Sequence, residues 1–234
     1  MQAIILAGGK GTRLAPYTTV LPKPLMPVDD MPILEVILRQ LRQTGVTEVT
    51  LAVGYLASLL EAYFGSGEKL GLKIHYSIEQ EPLGTAGPLG LITPPSEPFF
   101  VMNGDVLTDI DFQEMYRRHL AHDAALTVAT FTRHVKIDLG VLEVDAASAV
   151  TNYIEKPSFH YQVSMGVYVM SPPVLDYIAK GTRMDLPDLV LKLIAEPQKV
   201  LSYQHPGYWL DIGRPDDYAE AAEIFRRERQ LFVP

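Results

Sequence analysis

The stretch AIILAGGKGTRL, residues 3–14, joins an apolar run to a loop with three glycines, one lysine and one arginine. A short apolar run that ends in glycines is typical of a buried strand followed by a turn. In an open α/β sheet, ligands gather at the carboxyl ends of the strands, where a glycine-rich loop can bring backbone N–H groups to phosphate oxygens. The stretch therefore predicts the first strand of such a sheet and an anion-binding loop at its end.

The first half of the chain alternates short apolar runs with amphipathic stretches. In the segment 33–41 apolar residues recur at helical spacing, and Gly45 stands where a C-cap glycine belongs, which predicts a helix. Such alternation is typical of βα units that wind a mainly parallel sheet. The predicted strands are 3–7, 48–53, 73–78 and 99–103, and the predicted helices are 32–45, 56–64 and 111–122.

Beyond about residue 124 the pattern changes to strands with fewer helices, closed by a polar helix over 216–230. The sequence shows no internal repeat, no low-complexity tract and no clear linker. We therefore expect an α/β fold, with a Rossmann-like, mostly parallel sheet flanked by helices and a smaller β-rich lobe in the second half. The expected organisation is a single domain over 1–234.

The composition excludes several classes of function. The net charge is −8, from 20 Lys+Arg against 28 Asp+Glu, so no overall positive field exists to hold nucleic acid or an anionic membrane. We expect neither as a partner. The absence of cysteine excludes disulfides, thiolate metal sites and cysteine nucleophiles. The N-terminus has no signal-peptide pattern and no apolar run approaches the roughly 18–20 residues of a membrane span, so we expect a cytoplasmic protein.

The glycine loop matches neither common nucleotide-binding motif. No Lys-Ser/Thr pair follows at the Walker spacing, and Leu14 stands where G-x-G-x-x-G requires its last glycine. Alone, the loop is also consistent with a plain turn in which Lys10 and Arg13 are solvated. The segment 16–35 favours a functional interpretation, because it carries five prolines and one stands on each side of Lys23. Flanking prolines hold that cation on a stiff, extended arm.

Five stretches in sequence order carry a family resemblance. They are GGKGTRLAPYTTVLPKPLMPV (8–28) with PILE (32–35), EQEPLGTAGPL (79–89), FVMNGD (100–105), YIEKP (153–157) with GVYV (166–169), and YWLDIGRPDDY (208–218). The chain thereby resembles the sugar-phosphate nucleotidyltransferases over essentially its whole length, and it looks most like the mannose 1-phosphate guanylyltransferases among them. The resemblance implies transfer of a nucleoside monophosphate from a nucleoside triphosphate to a sugar 1-phosphate. It assigns the nucleotide to the half at about 1–122 and the sugar to the half at about 123–234.

The implied reaction needs positioning and charge neutralisation more than covalent help from the protein. The resemblance implies that Arg13 reaches the leaving β and γ phosphates and that Lys23 contacts the α-phosphate, where charge is redistributed in the transition state. Asp105 joins these two as a catalytic residue. The residues expected to bind the nucleotide are Leu6, Ala7, Gly8, Gly9, Gly11, Thr12, Glu79, Gly84 and Thr85.

Two carboxylates are candidate magnesium ligands. Asp105 ends the apolar run FFVMNGD and Asp211 follows an apolar pair in YWLDIG. Mg²⁺ prefers one or two carboxylates together with substrate phosphates and water, so two acids from distant segments suit it. In the family, the matching residues hold the metal. Each acid alone is also consistent with a turn cap.

Sugar binding is assigned by the resemblance to the second half. Glu155 would accept hydrogen bonds from sugar hydroxyls, Lys156 would pair with the sugar phosphate, and the backbone at Gly140 and Gly166 would lie against the sugar. One position departs from the family, because Ser164 stands where asparagine is common two residues before the second glycine. The details of hexose recognition are therefore open.

A carboxylate near the base decides the preferred nucleotide. Guanine presents neighbouring N1–H and N2–H₂ donors that a carboxylate can accept, whereas uracil and thymine are better met by an amide. Glu79 stands where the thymidylyltransferases of the family carry glutamine, which favours GTP; Glu81 is an alternative acceptor. We expect a mannose or heptose 1-phosphate as acceptor. Uridylyl transfer to another sugar 1-phosphate, or a non-catalytic nucleotide-sugar sensor, remain the alternatives.

The remaining expectations concern assembly and four polar residues. The chain carries no hexapeptide repeat of the kind that forms a C-terminal β-helix in many relatives, so we expect a catalytic domain only. Family members are often dimers or larger, which makes a homodimer an expectation of the resemblance. Asp109 and Asp111 are expected to cap the helix that starts near Phe112. His119 and His122, on that helix, are expected to be solvated.

Overall fold

The computed structural model describes residues 1–233. The strands are β1 (Gln2–Ala7), β2 (Pro27–Val28), β3 (Met31–Pro32), β4 (Glu48–Val53), β5 (Lys73–Ile78), β6 (Phe99–Asn103), β7 (Val106–Thr108), β8 (Leu126–Lys136), β9 (Val141–Val144), β10 (Val150–Ile154), β11 (Ser158–Met170), β12 (Val200–His205) and β13 (Trp209–Asp211). The α-helices are α1 (Ile33–Thr44), α2 (Ala57–Phe64), α3 (Phe112–Ala121), α4 (Leu186–Ala195), α5 (Pro215–Arg227) and α6 (Arg229–Phe232).

A seven-stranded sheet runs through both halves of the chain in the order β12-β8-β11-β6-β1-β4-β5. The pairs of β1 with β4 and β6, of β4 with β5 and of β8 with β12 are parallel, and β11 is antiparallel to both of its neighbours. The expected mostly parallel α/β sheet is confirmed. The second half completes this sheet with three strands and adds a separate two-stranded sheet, β9–β10, whose residues are almost all exposed.

Both faces of the large sheet are buried. Successive residues of a strand point to opposite faces, so Phe100 and Met102 of β6 join one apolar cluster while Phe99 and Val101 join another. The first cluster is covered by α1, α2, α3, α5 and α6, and the second by α4. Helix α1 ends at Thr44, where Gly45 has φ 97° and its N–H donates to the Arg42 carbonyl, as the C-cap pattern predicts.

A short antiparallel ladder between β7 and β13 positions the two candidate metal ligands. Asp211 lies opposite Val106, which is the residue directly after Asp105. The Ile212 N–H donates to the Asp105 carbonyl at 3.1 Å. This ladder joins residues about a hundred positions apart, and it brings two acids of different motifs to one edge of the sheet.

Two features differ from the sequence expectations. Helix α4 was not predicted, and two of its apolar residues, Leu191 and Ile194, are exposed and so depart from a simple apolar stripe. His119 is buried, so the expected solvated pair was wrong for that histidine, while His122 is exposed. Across residues 1–233, no helix combines the length and apolar character that crossing a membrane requires.

Candidate active site

A cavity of about 930 Å³ opens at the carboxyl ends of β1, β4, β5 and β6. All of the residues predicted to bind the nucleotide line it, together with the three predicted catalytic residues: Leu6, Ala7, Gly8, Gly9, Gly11, Thr12, Arg13, Lys23, Glu79, Gly84, Thr85 and Asp105. A glycine loop, two cations and several carboxylates therefore face one space. Its place at the strand ends is where open α/β sheets bind ligands.

Glycine is needed at two positions of the loop after β1. Gly11 has φ 62°, and a Cβ there would lie 3.0 Å from Thr18 Cγ2 and 3.2 Å from Lys23 Cβ. A Cβ at Gly8 would lie 2.5 Å from Glu79 Oε1. The missing side chains let the loop, the proline-flanked arm and Glu79 approach one another closely.

Lys23 lies at the meeting point of three segments. Its arm is the extended Pro22, followed by a single turn over Lys23–Leu25, and its side chain is only 11% exposed. The ammonium donates a hydrogen bond to the Asp105 carboxylate and lies 3.9 Å from Asp211 Oδ1. The arm that was predicted to be extended forms a turn at Lys23, and the cation lies between the two predicted metal ligands.

Asp105 and Asp211 lie close enough to repel each other, and one of their oxygens accepts no hydrogen bond among the described residues. Asp105 Oδ1 is buried and has no hydrogen-bond partner among residues 1–233. Partial burial and the neighbouring charge on Asp105 raise the pKa of Asp211, against the opposing effects of Lys23 and Arg13. Asp211 is 45% exposed, so solvent screens this interaction in part. A cation bound between these oxygens would satisfy the unpaired one and relieve the repulsion.

Arg13 reaches the same region from the glycine loop. Its guanidinium lies flat against Gly213, where a Cβ would stand 3.2 Å from Nη2 and 3.3 Å from Cζ. Gly213 follows Asp211 closely, which explains why the charge of Arg13 acts on that acid. Arg13 thus faces the cavity while its head rests on the segment after β13.

Two carboxylates remain candidates for contact with the base. Glu79 lies between the Gly8 and Gly54 backbones, and its Oε2 accepts a hydrogen bond from the Leu83 N–H at 3.1 Å. Glu81 also lines the cavity and is exposed. Because one oxygen of Glu79 is already used, the choice between the two acceptors stays a prediction.

Of the four predicted sugar-binding residues, only Gly166 lies beside the cavity, while Gly140, Glu155 and Lys156 lie near one another elsewhere. Gly166, with φ 71°, lies beside the cavity, because a Cβ there would be 2.5 Å from Nδ2 of the lining residue Asn103. Gly140 packs under the Tyr153 hydroxyl, which donates to Glu155. Among the described residues, the cavity lining includes neither Glu155 nor Lys156. Both side chains are more than half exposed, and they follow β10 of the separate, largely exposed two-stranded sheet. The sugar assignment therefore stays a prediction.

The unexpected Ser164 supports the strand irregularity next to Gly166. Its hydroxyl accepts from the Gly166 N–H at 3.3 Å and lies 3.0 Å from the Tyr168 hydroxyl. The register of β11 against β8 shifts between Ser164 and Tyr168. Ser164 thus helps to hold the turn of backbone that faces Asn103.

The expected pair of helix caps is half correct. Asp111 caps α3 by accepting from the Glu114 N–H at 2.9 Å. Asp109 does not cap the helix; it accepts from the Tyr208 N–H at 2.6 Å and contacts His205 Nε2 at 2.7 Å. Burial opposes ionisation of Asp109, but these partners lower its pKa. Asp109 thereby joins the end of β7 to the loop before β13. Because its two partners are nearly a hundred residues away from it in sequence, no local pattern predicts these contacts.

The family model described as "Nucleotidyl transferase" matches residues 2–228. The mannose-1-phosphate guanyltransferase beta-B of Xenopus laevis is 39% identical over 227 residues, which cover 93% of this chain and 62% of that protein. The chain thus spans less than two thirds of that relative's length.

Two solved structures share the fold. A putative glucose-1-phosphate thymidylyltransferase from Bacillus anthracis superposes with a TM-score of 0.78 at 23% identity, covering 97% of this chain and 95% of that one. HddC from Yersinia pseudotuberculosis, complexed with GMP-PN, gives a TM-score of 0.70 at 25% identity over 96% and 99% of the two chains. The family match spans both halves of the sheet and every segment that lines the cavity, and the chain belongs to the nucleotidyl transferase family.

Proposed function

We propose that this chain transfers GMP from GTP to mannose 1-phosphate, giving GDP-mannose and pyrophosphate. An oxygen of the sugar phosphate attacks the α-phosphorus of GTP. The new bond joins that oxygen to phosphorus, and the bond from the α-phosphorus to the bridging oxygen of pyrophosphate breaks. Such a displacement is accelerated chiefly by alignment and by stabilisation of phosphate charge.

One observation carries the proposal. Arg13, Lys23 and Asp105 come from three separate segments and line the cavity that the glycine loop also lines, and Asp211, from a fourth segment outside that lining, lies 3.9 Å from the Lys23 ammonium. Two cations and two acids around one small volume suit a polyphosphate with a divalent ion. A packing role explains neither the unpaired Asp105 oxygen nor the two facing carboxylates.

Each cation has a distinct role in the proposal. Arg13 offers a planar fork of donors to the β and γ phosphates of the leaving pyrophosphate. Lys23, held between two acids, can turn its ammonium to the α-phosphate as negative charge moves there. Backbone N–H groups of the loop from Gly8 to Thr12 would hold the remaining phosphate oxygens.

The donor set also fits magnesium. Asp105 and Asp211 supply hard oxygen ligands of the kind that Mg²⁺ prefers, and two are enough when phosphates and water complete the shell. Asp105 Oδ1, which is buried and has no hydrogen-bond partner among residues 1–233, is free to bind a metal ion. When bound, the ion would neutralise phosphate charge at this point. No group of three or more potential metal ligands occurs in the described chain, so a closed structural metal cage is not part of the proposal.

GTP and mannose 1-phosphate are favoured over other substrates by two findings. The Xenopus relative is named for mannose 1-phosphate and guanylyl transfer, and the HddC structure holds a guanine nucleotide analogue. The cavity offers Glu79 and Glu81, both able to accept the neighbouring donors of guanine. A heptose 1-phosphate is the alternative acceptor, and uridylyl transfer is the alternative activity.

A substrate panel tests the proposal. Pyrophosphate release is measured with magnesium, each of GTP, UTP, dTTP and CTP, and mannose, glucose and heptose 1-phosphates. We expect the highest kcat/KM with GTP and mannose 1-phosphate, and no release with EDTA. A preference for UTP would replace the guanylyl assignment. Binding of GDP-mannose without turnover of any pair would make the protein a sensor and contradict catalysis.

A further inference from the structure

Residues 82–87, which we call the GTAG loop, form one wall of the cavity through Pro82, Gly84 and Thr85. The loop follows β5 and belongs to the first half of the chain. Ala86 of the loop is buried in the apolar cluster that also holds Ile4, Phe99 and Val101 of the sheet. The loop also contacts residues 182–186, about a hundred positions later, which precede and begin α4.

Backbone hydrogen bonds join the two segments as a small ladder. The Met184 N–H donates to the Leu83 carbonyl at 3.0 Å. The Met184 carbonyl accepts from Ala86 at 2.9 Å and from Gly87 at 3.0 Å. These bonds fix the path of the loop, but they leave the cavity-facing Thr85 between them.

Asp185 fixes Thr85 itself. Its Oδ1 accepts from the Thr85 N–H at 3.0 Å and from the Thr85 hydroxyl at 3.3 Å. The same hydroxyl accepts from the Leu186 N–H at 2.7 Å. The donor and an acceptor site of the Thr85 hydroxyl are therefore both used, and a carboxylate acceptor makes two of the three bonds charge-assisted.

The glycines of the loop suit this contact. Gly84 has φ 78°, and a Cβ there would lie 2.5 Å from the Met184 carbonyl oxygen and 2.7 Å from Asp185 Oδ1. A Cβ at Gly87 would lie 2.6 Å from the Thr182 carbonyl oxygen. Both glycines are thus required by the approach of the second segment, independently of any ligand.

We propose that Asp185 is a positioning residue that holds the GTAG loop in the conformation that receives the nucleotide. Asp185 does not line the cavity among residues 1–233, so it acts through Thr85 and not on the substrate. Asp185 lies in the second half of the chain. The conformation of the cavity wall formed by the GTAG loop therefore depends on the N-terminal end of α4. The inference rests on the proposed function for its kinetic readout only.

Three variants separate positioning from general stability. Asp185→Ala removes the acceptor of Thr85 and, because Asp185 is the N-cap of α4, its half of the capping box as well. Asp185→Asn keeps an oxygen for both contacts, and Asp188→Ala is the control that removes the other half of the capping box. Asp188 Oδ2 accepts from the Asp185 N–H at 3.3 Å, so its loss weakens the start of α4 without touching Thr85. We expect D185A to raise KM for GTP about tenfold or more, with KM for mannose 1-phosphate within about twofold and kcat within about threefold. D185N and D188A should stay within about threefold of the wild-type KM for GTP.

Hydrogen exchange of the peptide 80–88, in the full chain without nucleotide, gives a readout that needs no activity. D185A should speed exchange of this peptide about tenfold, and D185N and D188A should not. Unchanged exchange in D185A, equal effects of D185A and D188A, or a D185N as defective as D185A would overturn the inference. A wild type without turnover, whose peptide 80–88 is nevertheless loosened by D185A alone, would contradict the proposed function and leave the loop assignment supported.

Discussion

At the scale of single residues, the site depends on the position of the Arg13 guanidinium. Arg13 faces the cavity from the glycine loop, but the flat face of its head is set by Gly213, a residue of the opposite end of the chain. Gly213 is not in the left-handed region, so alanine is tolerated there by the backbone. Only the guanidinium would have to move.

Gly213→Ala should displace the Arg13 guanidinium by a few tenths of an ångström, and it therefore tests whether that position matters. The added Cβ, 3.2 Å from Nη2, should push the head off its place and lower kcat about tenfold with little change in Tm. Steady-state pyrophosphate release and thermal unfolding measure both. In the Arg13→Ala background the same change should have no further effect on kcat. Equal losses in both backgrounds would show that Gly213 acts elsewhere.

Asp211 gives a second prediction at this scale, on stability. Its pKa is raised, so the folded chain holds the proton more tightly than the unfolded chain, and stability falls as pH rises through that interval. At neutral pH the ionised carboxylate therefore opposes folding until a cation binds. Asp211→Asn should raise Tm in EDTA by about 1–2 °C, a small value because the side chain is 45% exposed. Magnesium should raise the wild-type Tm and leave D211N nearly unchanged. A lower Tm for D211N in EDTA would contradict this.

At the scale of elements, α3 is joined to the sheet by a buried histidine. His119 lies 2.9 Å from the Thr127 hydroxyl of β8 and 3.1 Å from the Ser171 hydroxyl, just past β11. Burial lowers its pKa to about 4 from 6.5, with a smaller opposing effect from Asp123. The neutral imidazole is thus part of the packing of one helix against two strands.

This depressed pKa predicts acid sensitivity of the fold. The unfolded chain binds a proton at His119 below about pH 6.5 and the folded chain only near pH 4, so stability present above 6.5 is lost as pH falls. Full protonation would cost roughly 3 kcal/mol. Urea unfolding at pH 7 and pH 4.5 should show a smaller loss for His119→Gln than for the wild type. His122→Gln, on an exposed position of the same helix, should keep the wild-type loss. Equal losses in all three proteins would remove His119 as the cause.

At the scale of the whole molecule, the sequence predicts what is local and misses what is long-range. Strand β1 with its glycine turn and helix α1 follow from short patterns and are confirmed. Lys23 lines the cavity, but the extended arm expected from its flanking prolines is a single turn over Lys23–Leu25. The β7–β13 ladder could not be predicted, because nothing in either short strand identifies its partner. The same is true of Asp185 with Thr85. Family resemblance, and not residue pattern, paired Asp105 with Asp211.

The second half shows a further limit. Glu155 and Lys156 are adjacent in a motif, yet the structure leaves both exposed near the projecting β9–β10 sheet. The motif identifies residue types that suit a sugar phosphate. The apolar–polar pattern of β9 and β10 predicts the two strands, but it does not predict where their sheet lies relative to the main core.

The central claim is that four residues from separate segments act together on the α-phosphorus of GTP and on its leaving pyrophosphate. The most direct test is single-turnover pyrophosphate release with saturating GTP, mannose 1-phosphate and magnesium, for R13A, K23A, D105N and D211N. Lys192→Ala, a lysine bonded to the Tyr177 carbonyl away from the cavity, is the control. We expect each of the four to lose about a hundredfold or more in rate with the fold retained, and the control to match the wild type. A wild-type rate in any of the four would contradict the account.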